Sequence, residues 1–365
     1  MSLVWYKVLP ADFGGQKGIA NFNEALGKRF SLLCVCSNNN DPASAKNYQV
    51  FNWLPVSKKQ VIDPFIWWKI LHFAKQQNIS HVVLEHPYHG ISGWFLQVFL
   101  KCYLITHSHN IEFARFRQLA KWYWRPIKWL EGFTYRLSKE VLFKTEQDME
   151  QAIRAFKLKR QNCIVVPYGV EKKDTSQKEQ ARAIIIQAHN IPATNKILLF
   201  TASPDYEPNA IAVTNIVHHL IPLLPQNYTV IITGGNPMPI DNRSLFAQHS
   251  QVVLAGFVEE VNEYFLAADG YINPVNKGGG VQTKTLEALS YNLNVVCWKD
   301  MLNGISSDLT GNKIHTAKPG DWKDFMARVL VATIINDDTP NDFFEYYSFD
   351  HHIEKLAERI ENQNA

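Results

Sequence analysis

Long apolar runs are missing from this 365-residue chain. The most apolar stretch, Ile91 to Thr106, is interrupted by Gln97 and Lys101 and divides into a helix and a strand, so no segment is built to span a bilayer. The amino end lacks the apolar core of a secretory leader: it runs into a β-like segment with Lys7 inside it, and no leader is expected. Cysteine is scarce. Cys34, Cys36, Cys102, Cys163 and Cys297 are odd in number and form no CxxC pair, which argues against a disulfide framework or a structural zinc and for a reducing compartment. Strong charge of either sign is lacking too. With 37 basic against 34 acidic residues the net charge is +3, which removes the electrostatic reason for the chain as a whole to bind nucleic acid. There is no low-complexity tract and no short internal repeat.

What is present is ordinary globular composition, 46% hydrophobic and 19% charged, on a chain long enough for two domains. Short β-branched runs alternate with helical patterns. Strands are expected at Leu3–Leu9, Ser31–Val35, Tyr48–Trp53, His81–Leu84, Cys102–Thr106, Val141–Phe143 and Cys163–Val166. A second series follows at Ile197–Thr201, Tyr228–Thr233, Val252–Ala255, Tyr271–Asn273 and Leu293–Cys297. This alternation predicts an α/β chain whose parallel sheets are covered on both faces, with function beyond the carboxyl ends of the strands. Between the two series the polar KKDTSQKEQ reads as linker. The first strand leads through ADFGGQKG, with Gly14, Gly15 and Gly18, into a helix expected at Ile19–Lys28. A closing helix is expected at about His351–Glu361, capped by Ser348 or Asp350.

From Arg115 to Lys139 the pattern is that of one long amphipathic helix kinked at Pro126, carrying Trp122, Trp124 and Trp129 among Lys121, Arg125 and Lys128. Two readings compete: a helix packed on its own domain, or an interfacial surface for lipid headgroups, where Trp and Lys/Arg mix.

The densest chemistry lies in YINPVNKGGGVQTKTLEALSYNLNVVC, Tyr271 to Cys297. Gly278, Gly279 and Gly280 let the backbone approach a ligand closely, and a helix from about Thr283 to Tyr291 aims its unpaired N–H groups at the same place. Such a helix start carries roughly half a positive charge and suits phosphate. Lys284 in the first turn opposes that dipole and so requires a partner; Glu287 follows three residues on. An exposed ion pair would also satisfy the spacing, whereas a capping box would not, because Lys284 stands where Ser or Thr is needed.

The run GGGVQTKTLEALSYNLNVV resembles the donor-binding motif of retaining GT-B glycosyltransferases of the family-4-like group. The same likeness extends in order through the GG pair, HSHNIEFARF, CIVVPYGVE, SPDYEPN and GFV, covering Phe13 to Val296. The resemblance implies two Rossmann-like domains whose parallel sheets face a central cleft: residues 1–170 for the acceptor, with the helix of 350–365 packing back on it, and 171–349 for a nucleotide-sugar donor. It implies that Lys284, Glu287 and the cleft histidine His109 act in catalysis, with His107 as the alternative histidine. Gly14, Gly15, Ser203, Gly256, Val258, Gly279, Gly280, Val281, Thr283 and Thr285 would bind the donor. Glu112 and Arg115 would either dress a helix start or reach the acceptor. Two departures stand out: Gly279 occupies the place of the family's first acid, and no Arg follows Ser203.

The implied activity is transfer of a sugar from a nucleoside diphosphate to a carbohydrate or lipid-linked acceptor, with retention, in cell-surface polysaccharide or glycan synthesis. No DxD-like metal motif lies near the site, so no metal and no cofactor besides the donor is expected. The setting would be cytoplasmic, with peripheral contact at the inner membrane face if the aromatic stripe is interfacial. The alternatives are a sugar-nucleotide epimerase on the same fold and a nucleotide-sugar-binding protein impaired in catalysis.

Overall fold

Runs of apolar and β-branched residues form thirteen strands among the described residues of the computed structural model, which are 1–11, 14–202, 207–235, 249–277 and 281–362. The chain divides into two units, Met1–Gly169 with Tyr347–Ala365, and Val170–Tyr346.

In the first unit a seven-stranded parallel sheet runs in the order β3-β2-β1-β4-β5-β6-β7. Its strands are β1 (Ser2–Val4), β2 (Leu33–Ser37), β3 (Gln49–Leu54), β4 (His81–Glu85), β5 (Tyr103–Ser108), β6 (Glu140–Phe143) and β7 (Cys163–Val165). Helices α1 (Gly14–Arg29) and α13 (Phe349–Asn362) pack together, and Phe22, Ile353, Leu356 and Ile360 share one core with Val4, Cys34 and Leu142. A second core joins α2 (Pro64–Gln76) and α3 (Gly90–Leu100) to Leu3, Val35, Val82 and Leu104. Because neighbouring strand residues feed both cores, the inner strands carry apolar residues on both faces rather than on alternate positions. The remaining helices of this unit are α4 (Glu112–Gln118), α5 (Trp124–Leu137) and α6 (Glu146–Phe156).

The second unit holds a six-stranded parallel sheet in the order β10-β9-β8-β11-β12-β13. These are β8 (Lys196–Thr201), β9 (Tyr228–Thr233), β10 (Val252–Gly256), β11 (Gly270–Asn273), β12 (Val295–Trp298) and β13 (Ile314–Ala317). Helices α7 (Lys178–His189), α8 (Glu207–Asn215), α9 (Val261–Ala267), α10 (Thr283–Ser290), α11 (Trp322–Ala332) and α12 (Asn341–Tyr346) complete it. Both sheets are thus parallel and wound with helices, as the alternation predicts.

Four local expectations are corrected. The first strand ends at Val4, not Leu9, because the amides of Val8 and Leu9 donate to the buried Asn40 side chain at 2.6 and 2.8 Å instead of joining the sheet. The first helix starts at Gly14, not Ile19, so Gly14 and Gly15 lie in its first turn rather than in a preceding loop. The Arg115–Lys139 helix is two helices, broken at residues 119–123 where Ala120 has a φ of +50°. Pro126 therefore kinks nothing: it sits in the first turn of α5, where no intrahelical N–H is needed. The linker is shorter than KKDTSQKEQ, because α7 begins at Lys178.

All five cysteines are buried and unbridged, and no helix among the described residues is long and apolar enough to cross a membrane.

Candidate functional site

Both units concentrate polar chemistry at the carboxyl ends of their strands. In the second unit α10 begins just after Val281, with Gln282 as an N-cap whose side chain makes no capping bond. That side chain is engaged elsewhere: the Asn273 amide at the end of β11 donates to Gln282 Oε1 at 3.1 Å and to Thr285 Oγ1 at 3.2 Å. These bonds fix the first turn of the helix against the strand end.

Lys284, in that turn, reaches back to donate its ammonium to the carbonyl of Thr201, the last residue of β8, and lies 5.7 Å from the Phe200 ring centre. Burial lowers its pKa to about 8, with the Glu287 carboxylate working in the other direction. The partner that a first-turn cation requires is therefore a strand-end carbonyl, and Glu287 lies one turn along the same helix. Thr201 in turn bonds Tyr271 through its hydroxyl at 2.9 Å, so β8, β11 and α10 are tied together at one edge.

The amides of Thr283 and Thr285 donate to the carbonyls of Val281 and Gln282 at 2.9 and 3.0 Å, so neither points unpaired at a ligand. Gly256, at the end of β10, has a φ of +67° with open space where a Cβ would stand. Its carbonyl accepts from the Gly234 amide at 2.7 Å, and Val258 follows, half-buried, two residues on. Ser203, Gly278, Gly279 and Gly280 lie outside the described residues.

In the first unit, Glu85 ends β4 and is fully buried between two histidines of β5 and the turn after it. His107 Nδ1 is 3.0 Å from Glu85 Oε2, and His109 Nε2 is 2.7 Å from the same oxygen. His107 is enclosed, its ring 4.0 Å from that of Phe22, whereas His109 keeps a partly exposed edge. Burial drives the pKa of both imidazoles well below 6.5, and the neighbouring cations push the same way. Burial also lifts the Glu85 carboxyl to about 8, opposed by Lys144. Lys144 follows β6, is buried beneath the Phe22 and Phe349 rings, and finds no hydrogen-bond acceptor among the described residues; burial lowers it to about 7. The result is a carboxyl shared by two neutral imidazoles, with one ammonium beside it.

A second layer surrounds this group. His86 Nδ1 lies 3.4 Å from Glu112 Oε1, and Tyr88 donates to Glu112 Oε2 at 2.9 Å. Burial raises the Glu112 carboxyl, but the bonds from His86 and Tyr88 and the charge of Arg115 outweigh it, so the net shift is downward. Glu131, in α5, accepts the amides of Glu112 and Phe113 at 2.8 and 3.0 Å and so holds the start of α4. Glu112 is thus an interior hub, not exposed dressing at a helix start; Arg115 contacts it at 3.4 Å while its own side chain stays half-exposed.

Gly14 accepts a hydrogen bond from the Tyr168 hydroxyl, and Gly18 leaves room for the Tyr168 ring, which a Cβ would meet at 2.7 Å. The GG segment and the VPYGV segment are therefore brought together in one unit.

Glu85, His107 and His109 also have donor types that a metal takes, with ligand atoms within 4.8 Å of one another. Direct hydrogen bonds already close the space between them, and the buried Lys144 ammonium opposes a second cation there. Glu85 and Lys144 were missed by sequence reasoning; the one available signal was a charged residue at the end of an apolar strand, in HVVLE and VLFK.

The residues that carry this geometry fall within two family models. Residues 14–174 match Glycosyltransferase Family 4, and residues 195–333 match Glycosyl transferases group 1. No curated protein is significantly similar in sequence. Among solved structures, the sucrose-phosphate synthase of Thermosynechococcus elongatus is 14% identical with a TM-score of 0.74, covering 100% of both chains. HepE of Anabaena in complex with UDP-glucose is 13% identical with a TM-score of 0.72, covering 99% of this chain and 100% of that one. A glycosyltransferase from Rickettsia africae is 13% identical with a TM-score of 0.70, covering 98% and 96%. At such identities the structural likeness carries the fold, and the family models carry the activity. With one model on each sheet and a Rossmann-like parallel sheet in each unit, the chain belongs to the family-4-like, group 1 glycosyltransferases.

Proposed function

We propose that this glycosyltransferase takes its sugar from a nucleoside diphosphate and passes it, with retention, to a carbohydrate or lipid-linked acceptor in cell-surface polysaccharide or glycan synthesis. The observation that carries the reading is Lys284: an ammonium drawn from water at the start of a helix, held on the carboxyl edge of a parallel sheet, among the described residues, by the Thr201 carbonyl. Such a cation is loosely satisfied, and a diphosphate would give it a full counter-charge. The leaving diphosphate gains charge as the glycosidic bond breaks, and preorganised donors aimed at that charge are the usual source of rate.

In this reading Glu287 accepts the ribose hydroxyls, and the backbone at Gly256 and Val258 meets the base. Val281 and the amides of Thr283 and Thr285 close on the phosphates once they leave their present carbonyl partners. Gly14 and Gly15 line the first unit's contribution, and His109, its tautomer set by Glu85, bonds the reacting sugar. No metal and no other cofactor takes part, and the chemistry proceeds in the cytoplasm. The lack of an Arg in the sequence just after Ser203 leaves Lys284 with more of the diphosphate charge to balance. That HepE of Anabaena has been seen with UDP-glucose supports a nucleotide-sugar donor here.

The test is a thermal-shift titration with UDP, GDP, ADP and their sugars, where ligand at one hundred times its Kd adds about 2.7 kcal/mol. One nucleotide series is expected to raise the melting temperature and, with an acceptor, to give a product whose anomeric configuration matches the donor's by NMR. Failure of all three series would remove the reading; an inverted product would remove retention alone.

A further inference from the structure

We propose that the outer face formed by α2, α3 and the α4–α5 segment is a docking surface for an anionic lipid bilayer. The inference does not depend on the donor site. The three supports are the exposure of large aromatics, their arrangement on adjoining helices, and the sign of the charge around them.

Helix α3 packs between α2 and α5, so their outer faces adjoin. Each presents aromatic side chains to water: Phe65 and Trp68 on α2, Trp94 and Phe99 on α3, Trp129 on α5, and Trp122, 83% exposed, in the turn before α5. They are not stray residues. Phe65 and Trp68, both exposed, stack at 6.3 Å, while Phe99 stacks on the half-buried Phe95 at 5.8 Å and Trp129 on the half-buried Phe133 at 5.6 Å. Aliphatic side chains lie exposed among them, including Ile62, Val98 and Leu119. Large apolar side chains left open on adjoining helices are the kind of surface that marks an interaction site.

The charge on these helices and their connections is mostly positive. From Leu54 to Lys139 the sequence has twelve lysines and arginines and four acids, Asp63, Glu85, Glu112 and Glu131. Glu85, Glu112 and Glu131 are fully buried, and Asp63 is spent capping α2. Ten of the twelve basic residues are exposed, and Arg117 and Arg125 flank the Trp124 ring at 5.5 and 5.3 Å. The whole chain carries only +3, so this positive field is local.

Tryptophan beside Lys and Arg is the mix that settles at the boundary between headgroups and acyl chains. Exposed Ile, Val and Leu side chains have a use in acyl chains and none against nucleic acid bases. A second copy is disfavoured, since a two-fold contact would press one positive face against the same positive face. The partner is therefore a surface both negative and apolar just beneath.

The test is co-sedimentation of the full chain with vesicles of mixed phosphatidylglycerol and phosphatidylcholine at low salt. Binding is expected there, with none to phosphatidylcholine alone and release at high salt. Two triple variants, Trp68→Ser/Trp122→Ser/Trp129→Ser and Lys101→Glu/Lys121→Glu/Arg125→Glu, replace exposed residues only. With unchanged circular dichroism and melting temperature, each should partition about tenfold or more weakly. The proposal is overturned by absence of binding to the anionic vesicles, or by undiminished binding of both variants. It is equally overturned if the aromatic face proves to mediate dimers or to bind single-stranded oligonucleotide while vesicles are ignored.

Discussion

Lys284 and Glu85 show how burial sets the working state of single residues. Lys284 is depressed to about 8 because charging it costs solvation. If it holds a diphosphate, the protonated form is the binding form, so affinity is full well below pH 8 and falls as pH rises through that value. Isothermal titration of UDP across this range should show the decline, and Lys284→Met should bind more weakly and lose the pH step. Persistence of the step in the variant would assign it elsewhere. Glu85 raises a different question, that of stability. Glu85→Ala removes the acceptor shared by two buried imidazoles and the carboxyl beside the Lys144 ammonium, and each buried group left unpaired costs about 1–3 kcal/mol. Chemical denaturation followed by tryptophan fluorescence should show the early loss of the first unit, and Glu85→Gln, which keeps one acceptor oxygen, should lose less. At this scale the sequence was legible for the placement of residues within one segment, Lys284 and Glu287 on one helix and His109 just after a strand. Glu85 and Lys144 were not, since nothing in a linear pattern says that the ends of β4, β5 and β6 become neighbours.

Elements were legible in kind more than in extent. The apolar runs gave the strands because a parallel sheet hides both faces, and α2 was marked by Asp63 before Pro64, the arrangement found at its start. Errors arose where a side chain or a turn overrode the pattern. Asn40 is the clearest case: it takes the amides of Val8 and Leu9 and gives its own amide to the carbonyls of Tyr6 and Ser37. A distant side chain thus ends β1 and shapes the loop ahead of α1. Asn40→Ala would leave two buried amides unpaired, at about 1–3 kcal/mol each. The expected result is a lower melting temperature and earlier proteolytic nicking near residues 5–11; an unchanged cleavage pattern would mean that the loop holds without it. The broken helix at residues 119–123 is the second case, for amphipathic periodicity continues across a turn that merely changes direction.

For the whole molecule, two similar parallel sheets were foreseeable from alternation, and the order of the sheets follows the same logic in each: the chain works outward from a central strand, then crosses to the other side. The return of α13 to the first unit was readable only through the resemblance, because its apolar stripe names no partner. The burial of all five thiols carries a practical corollary. Enclosure raises Cys102 and lifts Cys163 to about 11 and Cys297 to about 12, and a hydrogen bond with Cys36, then burial, raises Cys34, so these groups stay protonated as well as hidden. The native chain is consequently silent toward maleimides, and one cysteine introduced at Val98 would become a lone handle for a fluorophore. Its colour in the presence and absence of vesicles would report the polarity met by that helix face, with no background to subtract.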